Sequence, residues 1–305
     1  MERLAVLAAA ITPALVLLGY GVAKGRGSWQ NHALWTAFLA GAAVAIAPLA
    51  GQAWLEDTLQ LGRLPPAFDA AGTALLVAAI PEETAKFLVV VAIAGRWRDA
   101  RRIQDIIVLA LGAALGFAFV ENLAFVTSPG DWQTVALMRA SIAVPGHGID
   151  GLTMGALLTM ARLNAERKRL FWVAALLLPI ALHASYDFPL LLLEGGAAPS
   201  WVGIAWLIII AFSAVVAISL TNRVLAATLS RRFAAERRAE MSAASLILGG
   251  AALFLAGPLL GAWLYLLSGG RLPFSGAAPI ILPAVLGGDL LRSGLQRRRG
   301  PLALP

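Results

Sequence analysis

The sequence predicts an all-α protein, a polytopic bundle of about 9 transmembrane spans with the N-terminus outside and the C-terminus cytoplasmic. Three observations lead there. Of the 305 residues, 59% are hydrophobic and only 13% are charged, where a water-soluble domain carries roughly a quarter charged residues. Several apolar runs reach about 18 residues, the length that crosses a bilayer, whereas a transmembrane barrel shows alternating ten-residue segments. The net charge of +7 is gathered in short clusters between those runs, which reads as a topology signal and not as a nucleic-acid surface. The chain has no cysteine, which excludes disulfides, thiol catalysis and thiolate metal sites.

Apolar runs lie at 5–22, 33–54, 67–95, 104–127, 146–162, 170–193, 200–222, 243–267 and 276–291. The first resembles a signal-peptide core followed by "GYGVA", but Lys24 and Arg26 come directly after it and favour a retained anchor. The last is the weakest, with two prolines and Asp289. Basic residues follow every second run: Lys24 and Arg26; Arg96, Arg98, Arg101 and Arg102; Arg162, Arg167, Lys168 and Arg169; Arg223, Arg231, Arg232, Arg237 and Arg238; Arg292, Arg297, Arg298 and Arg299. The opposite side keeps only Arg3, Arg63 and Arg271, so an odd number of spans satisfies the positive-inside rule at each loop. The short apolar stretch "WQTVALMRASIAVPGH" is read as an interfacial or re-entrant helix, 132–144, leading into the fifth span. The basic segment 229–241 suits either a solvated linker or a docking site for anionic lipid.

Ionisable residues inside a membrane cost about 2.5 to 3.5 kcal/mol each, so they mark a site or a wet cavity. Here they form four groups: "EETAK" at 82–86, "EN" at 121–122, "PGHGID" at 145–150 and "HASYD" at 183–187. Glu82 and Lys86 share a helix face, while Glu82 and Glu83 diverge by about 100°. Taken alone, "EETAK" is equally an ion-pair clamp between helices. His183 and Asp187 are one turn apart, the arrangement that fixes an imidazole's tautomer for catalysis or for a metal. With the spans oriented by charge, all four groups fall at compatible depth around one cavity opening to the extracytoplasmic side.

A carboxylate and histidines around water are what peptide-bond hydrolysis inside a membrane requires. The hydroxyls of Ser141, Thr153 and Ser185 lack a nucleophile-elbow context, and no matched aspartate pair is present. The expected catalytic residues are Glu82, Glu83, His147 and His183, with Lys86, Glu121, Asn122, Arg139 and Asp187 in support.

"PEETAK", "GFAFVEN", "RASIAVPGHG" and "HASYDFPL", in this order and spacing, resemble the PrsW family of intramembrane proteases, relatives of the CAAX prenyl-endopeptidases. The match runs over about residues 68–190. The chain is read as a single membrane domain over 1–305 with a catalytic core at 67–193, and the accessory spans at 1–66 and 194–305 rest on hydropathy and charge alone. The resemblance implies an eight- or nine-helix protease in a bacterial cytoplasmic membrane. It further implies site-1 cleavage of a single-pass, anti-sigma-factor-like membrane protein, with the lipid bilayer and no nucleic acid as surroundings. By similarity to the wider group, Glu82 and His147 hold and activate water, and His183 with position 187 stabilises the oxyanion. That group often has Asn where this chain has Asp187, so Asp187 either orients His183 or is protonated. No cofactor is expected; a zinc ion on His147, His183 and Glu82 or Glu83 is the alternative, without any HExxH run. A proton-coupled transporter is the competing class, but carriers show internal symmetry and these motifs have no counterpart after residue 195.

Overall fold

The computed structural model describes residues 2–24, 28–96, 105–196, 198–199 and 201–229. The runs expected at 243–267 and 276–291 and most of the basic segment 229–241 lie outside them. Among the described residues there is no strand, and the first seven apolar runs each coincide with helix. In order the described α-helices are α1 (Glu2–Lys24), α2 (Ser28–Leu59), α3 (Pro66–Gly72), α4 (Ile80–Arg96), α5 (Asp105–Val126), α6 (Trp132–Met138), α7 (Val144–Leu163), α8 (Lys168–Glu194) and α9 (Trp201–Leu229), with α3 and α4 in one apolar run and α6 between two. Four of them, α2, α5, α8 and α9, are long and apolar enough to cross a bilayer, and α1 carries a shorter apolar stretch.

Helix α5 is apolar on every side, which places it at the centre of the bundle. Its residues Leu109, Ala113, Ala114, Leu115, Phe117 and Ala118 are all buried, with α2 on one flank and α7 on another. Small residues let the backbones meet closely, the way helices associate when lipid offers no hydrophobic drive. A Cβ at Gly116 would lie 1.9 Å from the Phe38 carbonyl oxygen of α2, and one at Gly151 would lie 2.8 Å from the Ala110 oxygen of α5. Neither position accepts a side chain without parting two helices.

Two of the helical columns contain a π turn directly before a proline. Residues Thr73–Ala79 form one between α3 and α4, where the Ile80 amide donates to the Leu75 carbonyl; Pro81 follows. Residues Arg139–Ala143 form the other between α6 and α7, where the Val144 amide donates to the Arg139 carbonyl; Pro145 follows. A proline inside a regular helix lacks a donor and its ring strikes the carbonyl four residues back. The wider i to i−5 turn relaxes that clash, so both columns continue unbroken. The helix beginning at Trp132 therefore runs through Pro145 to Leu163, where a stop at Pro-Gly was expected. Asp131 caps its start, accepting from the Gln133 and Thr134 amides, and the Thr134 hydroxyl that also donates to it holds its carboxyl below the usual range.

Candidate active site

Each π turn delivers one group to the centre of the bundle. Glu82 and Glu83 come one and two residues after Pro81 on α4, and His147 comes two after Pro145 on α7. Glu121 and Asn122 arrive from α5, and His183 and Asp187 from α8. The structure thus gathers all four polar groups of the sequence into one cluster. It is packed and not open: Glu83 and Asn122 are fully buried, and Glu82 and Lys86 are 1% exposed. Asp187 and Arg139, with side chains 19% and 13% exposed, form its least covered edge.

Lys86 is the hub. Its ammonium donates to Glu83 Oε1 at 2.6 Å and to His147 Nδ1 at 2.8 Å, lies 3.6 Å from Glu82 Oε2, and sits 4.3 Å over the Phe117 ring. A lysine has donors only, so His147 accepts at Nδ1 and carries its proton on Nε2. That nitrogen meets Glu121 Oε2 at 2.5 Å. Arg139 completes this arm, 2.8 Å from the same Glu121 oxygen and donating from Nε to Asn122 Oδ1 at 3.0 Å. Asn122 in turn donates to the Ala10 carbonyl of α1.

His183 is held by carboxylates on both sides. Its Nδ1 lies 2.9 Å from Glu83 Oε1 and its Nε2 lies 3.1 Å from Asp187 Oδ2. Asp187 thus touches His183 directly, one turn along α8. Glu82 Oε2 is 4.0 Å from Nε2 of the same ring, so both glutamates reach His183 although their Cβ directions diverge. Glu82 Oε2 and Glu83 Oε2 are buried without a hydrogen-bond partner. In a low-dielectric interior such an oxygen is costly unless something is meant to meet it.

Two residues here were given no role from sequence. Gln52 of α2 donates to Glu82 Oε1 at 3.4 Å; a lone amide in an apolar run was the signal. Asp150, one turn after His147 on α7, lies 4.0 Å from His183 Nδ1 and is buried.

Fold and site together define a class: an integral membrane protein with a buried acid-base centre of glutamates, histidines and a lysine between its helices. The chain belongs to the PrsW family; the family model described as "PrsW family intramembrane metalloprotease" matches residues 30–218. Among its relatives are proteins named Protease PrsW. That of Halalkalibacterium halodurans is 31% identical over 188 residues, 61% of this chain and 83% of the relative. That of Oceanobacillus iheyensis is 28% identical over 185 residues, 61% of this chain and 82% of the relative. The Shouchella clausii protein is 30% identical over 118 residues, and there the match covers 39% of this chain and about half, 54%, of the relative's length. No solved structure matches the chain.

Proposed function

We propose that the protein is an intramembrane endopeptidase that hydrolyses a membrane-tethered protein with a glutamate-activated water. The observation that carries this reading is Glu82. It is buried, its Oε2 makes no hydrogen bond, and ligand atoms of Glu82, His147 and His183 lie within 4.8 Å of one another. Gln52 donates to the other oxygen, which orients the carboxylate.

Chemistry follows from these contacts. Glu82 accepts a proton from water as the water oxygen attacks the peptide carbonyl carbon. His183, charged between Glu83 and Asp187, and the Lys86 ammonium face the negative charge that develops on the carbonyl oxygen. The tetrahedral intermediate collapses with cleavage of the C–N bond, and Glu82 returns the proton to the departing amine. Glu83 positions both cations, and His147, locked by Glu121, holds Lys86 in place. Asp187 and Arg139 lie on the side from which a peptide has least protein to displace. The substrate class we infer is a single-pass membrane protein of the anti-sigma-factor kind, cut on the extracytoplasmic side, in a chain whose N-terminus is outside and which crosses a bacterial cytoplasmic membrane about nine times. That orientation rests on the distribution of Lys and Arg.

The family's description raises a metal. Two histidines and a glutamate are the donor types zinc takes at catalytic sites. With Lys86 on His147 Nδ1 and Glu121 on its Nε2, the set Glu82, His147 and His183 takes an ion only if Lys86 gives way, while Glu83, Asp150 and His183 form a second set with ligand atoms within 4.8 Å of one another. No step here is routed through an ion.

The test is cleavage of a single-pass reporter in proteoliposomes. Wild-type protein is expected to cut it, and correctly inserted Glu82→Gln to lose about 100-fold or more. Wild-type rates from Glu82→Gln, Glu83→Gln and His183→Ala alike would remove the proposal.

A further inference from the structure

We infer that the Lys86 ammonium occupies the place of a divalent cation, so that this site is a metal site filled by a side chain. The inference rests on the hydrolytic reading only for its location, not for its test.

The ammonium has the surroundings of a coordinated ion. Glu83 Oε1 and His147 Nδ1 stand at 2.6 and 2.8 Å from it, and Glu82 Oε2 at 3.6 Å. Around a metal-binding histidine, the far ring nitrogen typically donates to a carboxylate, which fixes the ring and raises its basicity. His147 Nε2 makes that contact with Glu121, so the outer arrangement of a metal ligand is present while the inner partner is an amine. Glu82 Oε2 and Glu83 Oε2 are buried without a hydrogen bond, so each carboxylate keeps lone pairs to spare. Lysine reaches this point because residue 86 is one turn from both glutamates, and its position at 1% exposure leaves no solvent to which the ammonium can retreat. An ion and this ammonium exclude one another by charge and by volume.

Removing the amine should therefore uncover the ion site. Wild-type protein, Lys86→Ala and Lys86→Gln, each purified in detergent, are titrated with Co²⁺, reading the visible absorption of the bound ion and the metal content after desalting. Wild type is expected to retain well under one tenth of an equivalent, and Lys86→Ala about one equivalent, lost again when His147→Ala is added. Lys86→Gln, which keeps a neutral stem in the space, should fall between. One equivalent bound by wild type, or none bound by a folded Lys86→Ala, overturns the inference. If Lys86→Ala folds only with Co²⁺ present, the exchange of one cation for the other is upheld; misfolding that the ion does not rescue counts against it. None of these readouts depends on proteolysis, so a failed glutamate mechanism and a failed lysine inference remain separate results.

Discussion

His147 and His183 stand with ring centroids 5.4 Å apart, yet they are held in opposite ways. His147 lies between a cation and a carboxylate, Lys86 and Glu121, which fixes a neutral ring with one tautomer. His183 lies between two carboxylates, Glu83 and Asp187, so each of its ring nitrogens faces an acceptor oxygen. The pair teaches a division of labour within one cluster. In the mechanism proposed above, one imidazole holds a lysine in place and the other faces the charge that develops on the substrate. Glu83 joins them, since its Oε1 meets both Lys86 and His183.

The largest effect should come from breaking that joint. Glu83→Gln leaves Lys86 and His183 short of a charge partner in a buried site, a loss of about 3 to 5 kcal/mol for a broken buried pair. Thermal unfolding in detergent should drop accordingly, together with cleavage. Separating the arms comes next. His147→Ala strands the Lys86 ammonium and one Glu121 contact and should destabilise the protein by a similar amount, whereas His183→Ala should spare stability more and abolish cleavage; equal melting losses for the two would erase the distinction. Asp187→Asn keeps an acceptor for His183 but removes a charge-assisted bond of about 1.5 to 3 kcal/mol, so kcat should fall about 10- to 100-fold with KM little changed. Gln52→Ala removes one long bond to the Glu82 carboxylate, worth about 1 kcal/mol, and should lower kcat about fivefold without shifting the melting temperature, while Gln52→Glu sets a like charge against Glu82 and should do worse.

Much of this was legible because charge in an apolar run is conspicuous. The four polar groups stood out in the sequence and are the ones gathered in the cluster, and seven apolar runs coincide with helices for the same hydropathic reason. Pairings were harder. Helical spacing matched Lys86 to Glu82 at i, i+4, but the ammonium sits 1 Å closer to Glu83 at i, i+3, drawn by His147 from another helix. Divergence of about 100° between Glu82 and Glu83 does not keep them apart, because both side chains are long enough to reach His183. The π turns before Pro81 and Pro145 were invisible because a 3.6-residue period does not register one extra residue, although the prolines themselves were the sign. Nothing in the sequence marked Gly116 and Gly151 as contact points, because that use depends on which backbone comes alongside.

The most direct measurement is cleavage by wild-type protein whose metal content has been determined by mass spectrometry, with and without a strong chelator. Water activation by Glu82 predicts undiminished cleavage by protein holding far less than one equivalent of any transition metal, unaffected by the chelator. Cleavage that scales with bound metal, vanishes on chelation and returns when the ion is added back would contradict it.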